Sequence, residues 1–393
     1  MINRERYIKE IRPFYESDLI KIITGIRRSG KSVILSEIYK EIKAKSSNVI
    51  YLDFEDIATL KKAGTVEKLL NYIEKNRGNG KCYIFLDEIQ EVKDWALAVK
   101  TLRLYDNSVF ISGSNSKMLS KEFATQLSGR YVSFRVRPFV FKEIQEYAKE
   151  LNKEVSVTNY LIWGGFPKRI EMQGDMETIK YLQDLEDTIV IKDLIKRYKI
   201  KKVEIFTRIV NFVLRANSRK ITASSICKSL KGQGVSCSKN TVLNYLHYLK
   251  EAYVIDELPL YSSKVKRELN NSQKVYNSDV CFNSIKVDNR RYDLDHNLEN
   301  IIYNELIYRG YELKVYDNNG KEIDFKATKD GKIYYIQVAY SVVDEKAYNR
   351  EFGAFATLDN ANQKILITND DVDYSTSTVK HIKLIDFLDM EEL

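Results

Sequence analysis

Proline is scarce, four residues in 393, and glycine numbers only 16, which excludes a collagen-like chain or one dominated by linkers. Internal self-similarity of the kind that repeat arrays require is also lacking. Histidine occurs three times, and Cys82, Cys227, Cys237 and Cys281 lie scattered, without the C-x-x-C spacing of a zinc site or redox pair. The expectation is four reduced, inert thiols and no structural metal. No run of roughly 18 or more uncharged apolar residues occurs, and Met1-Ile2-Asn3-Arg4-Glu5-Arg6 is too charged to lead into a secretory apolar core. This reads as a cytoplasmic protein with no membrane partner.

What is present is a globular composition, 44% apolar and 30% charged, in a chain long enough for two or three domains. The net charge of +8 is unevenly spread. Residues 192–274 carry 18 Lys/Arg against six Asp/Glu, whereas residues 275–393 carry 14 against 22. A basic excess confined to one segment is the footprint of a module that meets a polyanion.

The strongest chemical signal begins with the apolar, β-branched run Leu19-Ile20-Lys21-Ile22-Ile23-Thr24. Gly25-Ile26-Arg27-Arg28-Ser29-Gly30-Lys31-Ser32 follows, and then the helical pattern from Val33. This is strand, glycine loop and helix, with the loop fitting G-x-x-x-x-G-K-[ST]. Successive backbone N–H groups and the positive end of the helix surround a nucleotide's phosphates in such a loop. Gly25 and Gly30 permit backbone angles and close approach that a Cβ forbids; Lys31 reaches the β/γ-phosphates and Ser32 holds Mg²⁺. A second apolar run, Cys82-Tyr83-Ile84-Phe85-Leu86, ends in Asp87-Glu88. Carboxylates at that end of a strand fit Asp87 as a metal ligand and Glu88 as the group that activates water. A third run, Ser108 to Gly113, leads into Ser114 and Asn115. Either of these can contact the γ-phosphate or the water, and a plain hydroxyl-rich turn is an equal reading.

These segments, with Trp95, Leu127-Ser128-Gly129-Arg130 and Gly164-Gly165-Phe166-Pro167, resemble the prokaryotic AAA-type ATPases that carry a C-terminal domain of unknown function. The resemblance spans nearly the whole chain. It implies Walker A at Gly25–Ser32, Walker B at Asp87-Glu88, sensor 1 at Ser114/Asn115, and ATP with Mg²⁺ as cofactors. It also implies an arginine finger at Arg130, given to or received from another copy or a protein partner, with Arg135 and Arg137 as competitors.

Residues 176–217 read as helices of a lid and connector. A short helix near Ile221–Leu230, a turn, and a longer helix from Ser238 to Ala252 precede an extended segment, Tyr253–Leu260, in the order of a winged helix-turn-helix. Val242, Leu243, Tyr245, Leu246 and Leu249 are expected in the core. Lys239, Asn240, Asn244, His247 and Lys250 are left to meet DNA, although such folds also serve as spacers and protein docking surfaces.

Beyond residue 293 a helix around Leu298–Leu306 and strands Glu312–Tyr316, Glu322–Lys326 and Tyr334–Ala339 resemble a restriction-endonuclease core. Glu305 and Asp324 match its first two acidic positions, but Gln337 replaces the third acid and Ala339 the lysine. That degenerate set argues against nuclease activity, unless a lysine has moved in from Lys326 or Lys332. The fold class is therefore α/β: a P-loop parallel-sheet core (1–150), a helical lid (151–205), a winged helix (206–268) and an endonuclease-like domain (269–393). The expected function is ATP hydrolysis coupled to conformational change near DNA, with a nucleotide-gated scaffold or an ATP-regulated nuclease as alternatives.

Overall fold

The computed structural model describes residues 2–114, 127, 129–262, 273–287, 289–318, 320–359 and 361–393. The chain forms two compact units, Met1–Pro138 with Glu251–Tyr253, and Phe139–Lys250 with Val254–Leu393.

In the first unit, α1 (Glu5–Ile11) precedes β1 (Ile20–Thr24), α2 (Lys31–Lys43), β2 (Val49–Asp53), α3 (Ile57–Ala63), α4 (Val66–Asn76), β3 (Cys82–Asp87), α5 (Trp95–Arg103), β4 (Asn107–Gly113) and β5 (Tyr131–Arg135). All strand pairs are parallel, in the order β2-β3-β4-β1-β5. A parallel sheet covered on both faces needs near-continuous apolar strands, and β1 and β4 are buried at every position. Lys21 is the exception within β1. Its ammonium donates to Ser108 Oγ at 2.7 Å and to the Ser17 carbonyl at 3.0 Å, above the Phe110 ring, and burial lowers its pKa to about 7. On the opposite face Ile22, Leu52, Ile84 and Ile111 join one core. With β4 between β1 and β3, the ends of three strands converge where the phosphate loop starts.

The second unit opens with α6 (Phe141–Glu150), α7 (Val157–Trp163), α8 (Asp175–Glu186), α9 (Asp193–Tyr198) and α10 (Val203–Arg215). The apolar Ile189-Val190-Ile191 run falls in a π-helical turn, Asp187–Lys192, between α8 and α9. Next come β6 (Arg219–Ile221), α11 (Ala223–Gly232), α12 (Lys239–Glu251), β7 (Ile255–Leu258), β8 (Leu260–Ser262) and β9 (Gln273–Asn277). Thr222 caps α11 by accepting from Ser225 N at 3.0 Å, and Ser238 accepts from Thr241 N at 3.1 Å at the start of α12. Strands β6, β9 and β7 form an antiparallel sheet. The turn between α11 and α12 brings Cys227 and Cys237 to 3.4 Å between sulfurs, so two of the four thiols are neighbours and not isolated.

The remaining elements are α13 (Cys281–Ser284), α14 (Leu294–Tyr308), β10 (Glu312–Asn318), β11 (Lys321–Lys329), β12 (Lys332–Ala339), α15 (Glu345–Ala354), β13 (Gln363–Thr368), β14 (Lys380–Lys383) and α16 (Leu384–Asp389). They build a mixed sheet ordered β14-β13-β12-β11-β10-β8, antiparallel from β10 to β12 and parallel elsewhere. Buried amides connect these layers: Asn300 exchanges two hydrogen bonds with the Asn277 backbone, and Asn277 donates to the Leu214 carbonyl. The Gly164-Gly165 pair finds its reason here. Gly165 N donates to Asp279 at 2.7 Å, and a Cβ on Gly164 would lie 1.6 Å from the same carboxylate. Among the described residues no helix is long and apolar enough to cross a membrane.

Candidate functional site

The loop Gly25–Ser32 leaves the carboxyl end of β1 and runs into α2. Gly25 has φ 142°, and a Cβ there would stand 2.1 Å from the Val136 carbonyl oxygen, so only glycine fits. Gly30 is left-handed at φ 94° and opens the helix at Lys31. The loop is held from behind by Arg4, a buried guanidinium that donates to the carbonyls of Ser29 at 2.8 Å and Arg137 at 3.0 Å. The Ser29 hydroxyl is buried without a partner among the described residues.

Lys31 is buried, donates to the Ile26 carbonyl at 3.3 Å and lies 3.6 Å from the Glu88 carboxylate. Burial lowers its pKa and the neighbouring Glu88 and Asp87 charges oppose that shift. Asp87 closes β3, in register with Asp53 of β2. Its carboxylate accepts from Ser112 Oγ and from Tyr51 OH at 3.1 Å, and the nearby Ser32 hydroxyl favours its charged form. Desolvation nevertheless raises its pKa. Glu88 follows in a left-handed conformation, φ 50°, with its backbone N–H on Ser112 Oγ at 3.0 Å and its carboxylate accepting from Gln90. Lys31, Ser32, Asp87 and Glu88 thus converge at one end of the sheet.

Ser112 is the residue that sequence reasoning passed over. Its hydroxyl joins the two carboxylate residues because β3 and β4 pair with Leu86 opposite Ile111. That register depends on β4 lying beside β3, which local patterning does not specify. Ser114 is buried just beyond Gly113, which pairs with Thr24 at the mouth of the loop. Asn115 lies outside the described residues.

Comparison with known proteins agrees with this geometry. A family profile described as an AAA domain matches residues 17–145, and one described as a domain of unknown function (DUF8612) matches residues 154–285. An uncharacterized protein of Haemophilus influenzae is 32% identical over 380 residues, covering 94% of this chain and 93% of the relative. The uncharacterized protein MJ1544 of Methanocaldococcus jannaschii is 30% identical, covering 94% and 86%. The chain belongs to one family with these two relatives, and its residues 17–145 form an AAA domain. The solved Walker-type ATPase PABY2304 of Pyrococcus abyssi shares the fold at a TM-score of 0.51 and 15% identity, covering 73% of this chain and 96% of that one.

Other expected residues fall elsewhere. Arg130 is exposed and precedes Tyr131, which pairs with Ile20 at the amino end of β1. Its carbonyl accepts from Ile20 N at 3.1 Å, and the phosphate loop begins at the other end of the strand, about 13 Å away. Arg130 therefore stands at the wrong end of the sheet to reach its own chain's phosphates. Arg135, paired with Thr24, and Arg137, whose carbonyl meets Arg4, lie at the loop end.

On α12, Lys239, Asn240, Asn244, His247 and Lys250 are all exposed, and Lys250 bonds Glu257 at 2.5 Å. Val242, Tyr245, Leu246 and Leu249 are buried, but Leu243 is 54% exposed. The expectation that Leu243 faces the core is corrected: it sits one position past Val242, about 100° further around the helix, on the solvent side.

In the mixed sheet, a cavity of about 550 Å³ is lined by Glu299, Glu322, Asp324, Gln337 and Glu351. The acids of α14 that reach it are Asp295 and Glu299. Glu305, six residues after Glu299 and so on another face of α14, accepts instead from Phe141 N at 3.0 Å and from Arg309 at 3.2 Å. Asp324 accepts from Val338 N at 3.0 Å, and Gln337 accepts from Asp324 N while donating to Glu351 at 2.7 Å. Three of these carboxylates share Lys274 of β9, whose ammonium lies 2.7 Å from Glu299, 2.8 Å from Glu322 and 2.9 Å from Asp324, with a side chain 5% exposed. Burial opposes its charge, yet the three carboxylates hold its pKa well above the usual lysine value. Burial also lifts Glu299 to about 8. Neither lysine singled out in the sequence, Lys326 or Lys332, lines this cavity.

Proposed function

We propose that this protein binds Mg·ATP on Gly25–Ser32 and hydrolyses it, coupling turnover to conformational change. The convergence of Lys31, Ser32, Asp87 and Glu88 at the carboxyl ends of β1 and β3 carries this reading. The site suits a phosphate: a Cβ would fill the cradle at Gly25, Ser29 has an unmet hydroxyl, and Lys31 brings a desolvated charge. Ser32 and Asp87 would hold Mg²⁺, an ion that takes few protein oxygens and keeps several waters. Bound there, the ion would neutralise charge developing on the phosphoryl oxygens. Lys31 binds the β/γ-phosphates, Asp87 is oriented by Ser112 and Tyr51, and Glu88 takes the proton of the attacking water. Ser114 or Asn115 would orient that water. Arg130 would serve only across a boundary between copies.

The order α10-β6-α11-α12-β7-β8-β9, in which β6, β9 and β7 form a three-stranded antiparallel sheet and β8 joins the other sheet, supports a winged helix, and the exposed face of α12 supports DNA as its partner. The order α14-β10-β11-β12-α15-β13 supports an endonuclease-like core. Within it the Lys274 ammonium fills the space between the carboxylates, which favours a non-catalytic domain.

Glu88→Gln is the decisive variant. Phosphate release should fall by about 10²- to 10⁴-fold while binding of a fluorescent ATP analogue persists. A cellular phenotype that survives this substitution and follows nucleotide binding would favour a nucleotide-gated scaffold instead.

A further inference from the structure

The second unit contains a cavity of about 900 Å³ bounded by α10, β6, α11 and the segment leading into α14. Five cations line it, Arg208, Arg215, Arg219, Lys220 and Arg291, against one carboxylate, Asp293. Three of the five are engaged: Arg208 with Glu204 at 3.0 Å, Arg219 with Asp293 at 2.8 Å, and Lys220 with Glu322. Arg215 and Arg291 are exposed, and neither has a carboxylate partner among the described residues. Uncompensated positive charge on the wall of a concavity focuses the field there and concentrates anions.

The rest of the lining differs in character: Phe212, Ile221, Leu230 and Val287 are apolar, with Phe212 half-buried. A ligand that satisfies both surfaces needs an anionic group and a flat apolar one, in a volume that suits small molecules. Duplex DNA offers only the first, because its bases are stacked inside the helix. A single strand offers both, with phosphates for guanidiniums and unstacked bases for apolar and aromatic side chains.

We propose that this cavity takes a phosphorylated nucleoside, as a link in a single strand or as a free nucleotide, with its base against Phe212 and its phosphate on Arg215 and Arg291. The site shares no residue with the exposed face of α12, and it depends on neither ATP hydrolysis nor a recognition role for that helix. It accounts for basic residues in α10 and β6 that a winged-helix contact through α12 leaves unused.

The test uses full-length protein carrying Lys31→Ala, which silences the phosphate loop. Three fluorescent ligands are titrated over a salt series: an oligothymidylate of about twelve nucleotides, a duplex of the same length, and a labelled ADP. Arg215→Glu/Arg291→Glu, two exposed positions, should weaken the oligothymidylate about tenfold or more and lower its salt slope by about 1.4. Lys239→Glu/Lys250→Glu should leave it unchanged. Loss of labelled ADP on the same reversal identifies the free nucleotide as the source; retention of a strand-only effect identifies nucleic acid. Unchanged binding of both, absence of binding to either, or an equal loss for duplex and single strand would overturn the proposal. Phosphate release by the protein with Lys31 restored reads the loop separately, so failure there is distinguishable from failure here.

Discussion

Ser112 shows how a short polar side chain can matter through its position. Its hydroxyl donates to the Asp87 carboxylate and accepts from the Glu88 amide, fixing both residues of the acidic pair at once. Ser112→Ala leaves that buried amide without a partner, a cost of about 1–3 kcal/mol, and removes one of the donors that orient the Asp87 carboxylate. The expected outcome is a kcat lowered about 10- to 100-fold with KM for ATP nearly unchanged; an unaltered kcat would remove Ser112 from the site. The loop and Asp87-Glu88 were legible because each is a contiguous string whose chemistry demands those residues. Ser112, Glu299 and Lys274 were not, because each acts through a partner that only the folded chain brings near. Glu299 also gives a pH signature. Burial lifts its carboxyl to about 8, so between the ordinary carboxylate range and about 8 the folded chain holds a proton that the unfolded chain has released. Stability should therefore decline as pH rises through that window. Urea midpoints near pH 5 and near pH 8 should differ less in Glu299→Gln than in the parent. An equal decline in both would show that this carboxyl does not titrate there.

Elements were read more securely than the contacts between them. The apolar runs predicting β1, β3 and β4, and the helical spacing predicting α12 and α14, match the observed segments because burial on both sides of a sheet, or along one side of a helix, imposes those periods. The predicted extended segment Tyr253–Leu260 divides instead. Its first part, β7, pairs with β9, and its last, β8, joins β10 in the mixed sheet. No local pattern encodes such a change of sheet, since each half is merely apolar and extended. Gly164 makes the complementary point, a motif residue whose task is joining elements. It ends α7 at φ 66° with the Asp279 carboxylate where a side chain would stand, and Asp279 in turn binds Gly165 N and Cys281 N. Gly164→Ala should destabilise the protein by about 3 kcal/mol or more, displacing a buried carboxylate as well as straining the backbone. Thermal unfolding measures this directly, and a melting temperature equal to the parent's would show that the Asp279 contact is dispensable.

At the scale of the whole chain, charge is sorted by segment, with 18 basic against six acidic residues in 192–274 and an acidic excess afterwards. A polyanion responds to local field within a Debye length of about 10 Å at 0.1 M salt, so the exposed cations of α12 count for more than Arg219, Lys220 and Lys274, which are already paired with carboxylates of the acidic segment. If DNA is the partner of α12, duplex should alter the ATPase rate, and the DNA concentration giving half the effect should rise steeply with salt, as the logarithm of affinity falls by about 0.9 per neutralised phosphate for each decade of salt. Lys239→Glu/Lys250→Glu should raise that concentration and flatten its salt dependence, whereas reversing exposed lysines of the acidic segment, such as Lys346→Glu, should do neither. Stimulation that ignores both salt and the α12 reversal would place the basic segment's partner among proteins, because counterion release accompanies any contact made through duplex phosphates.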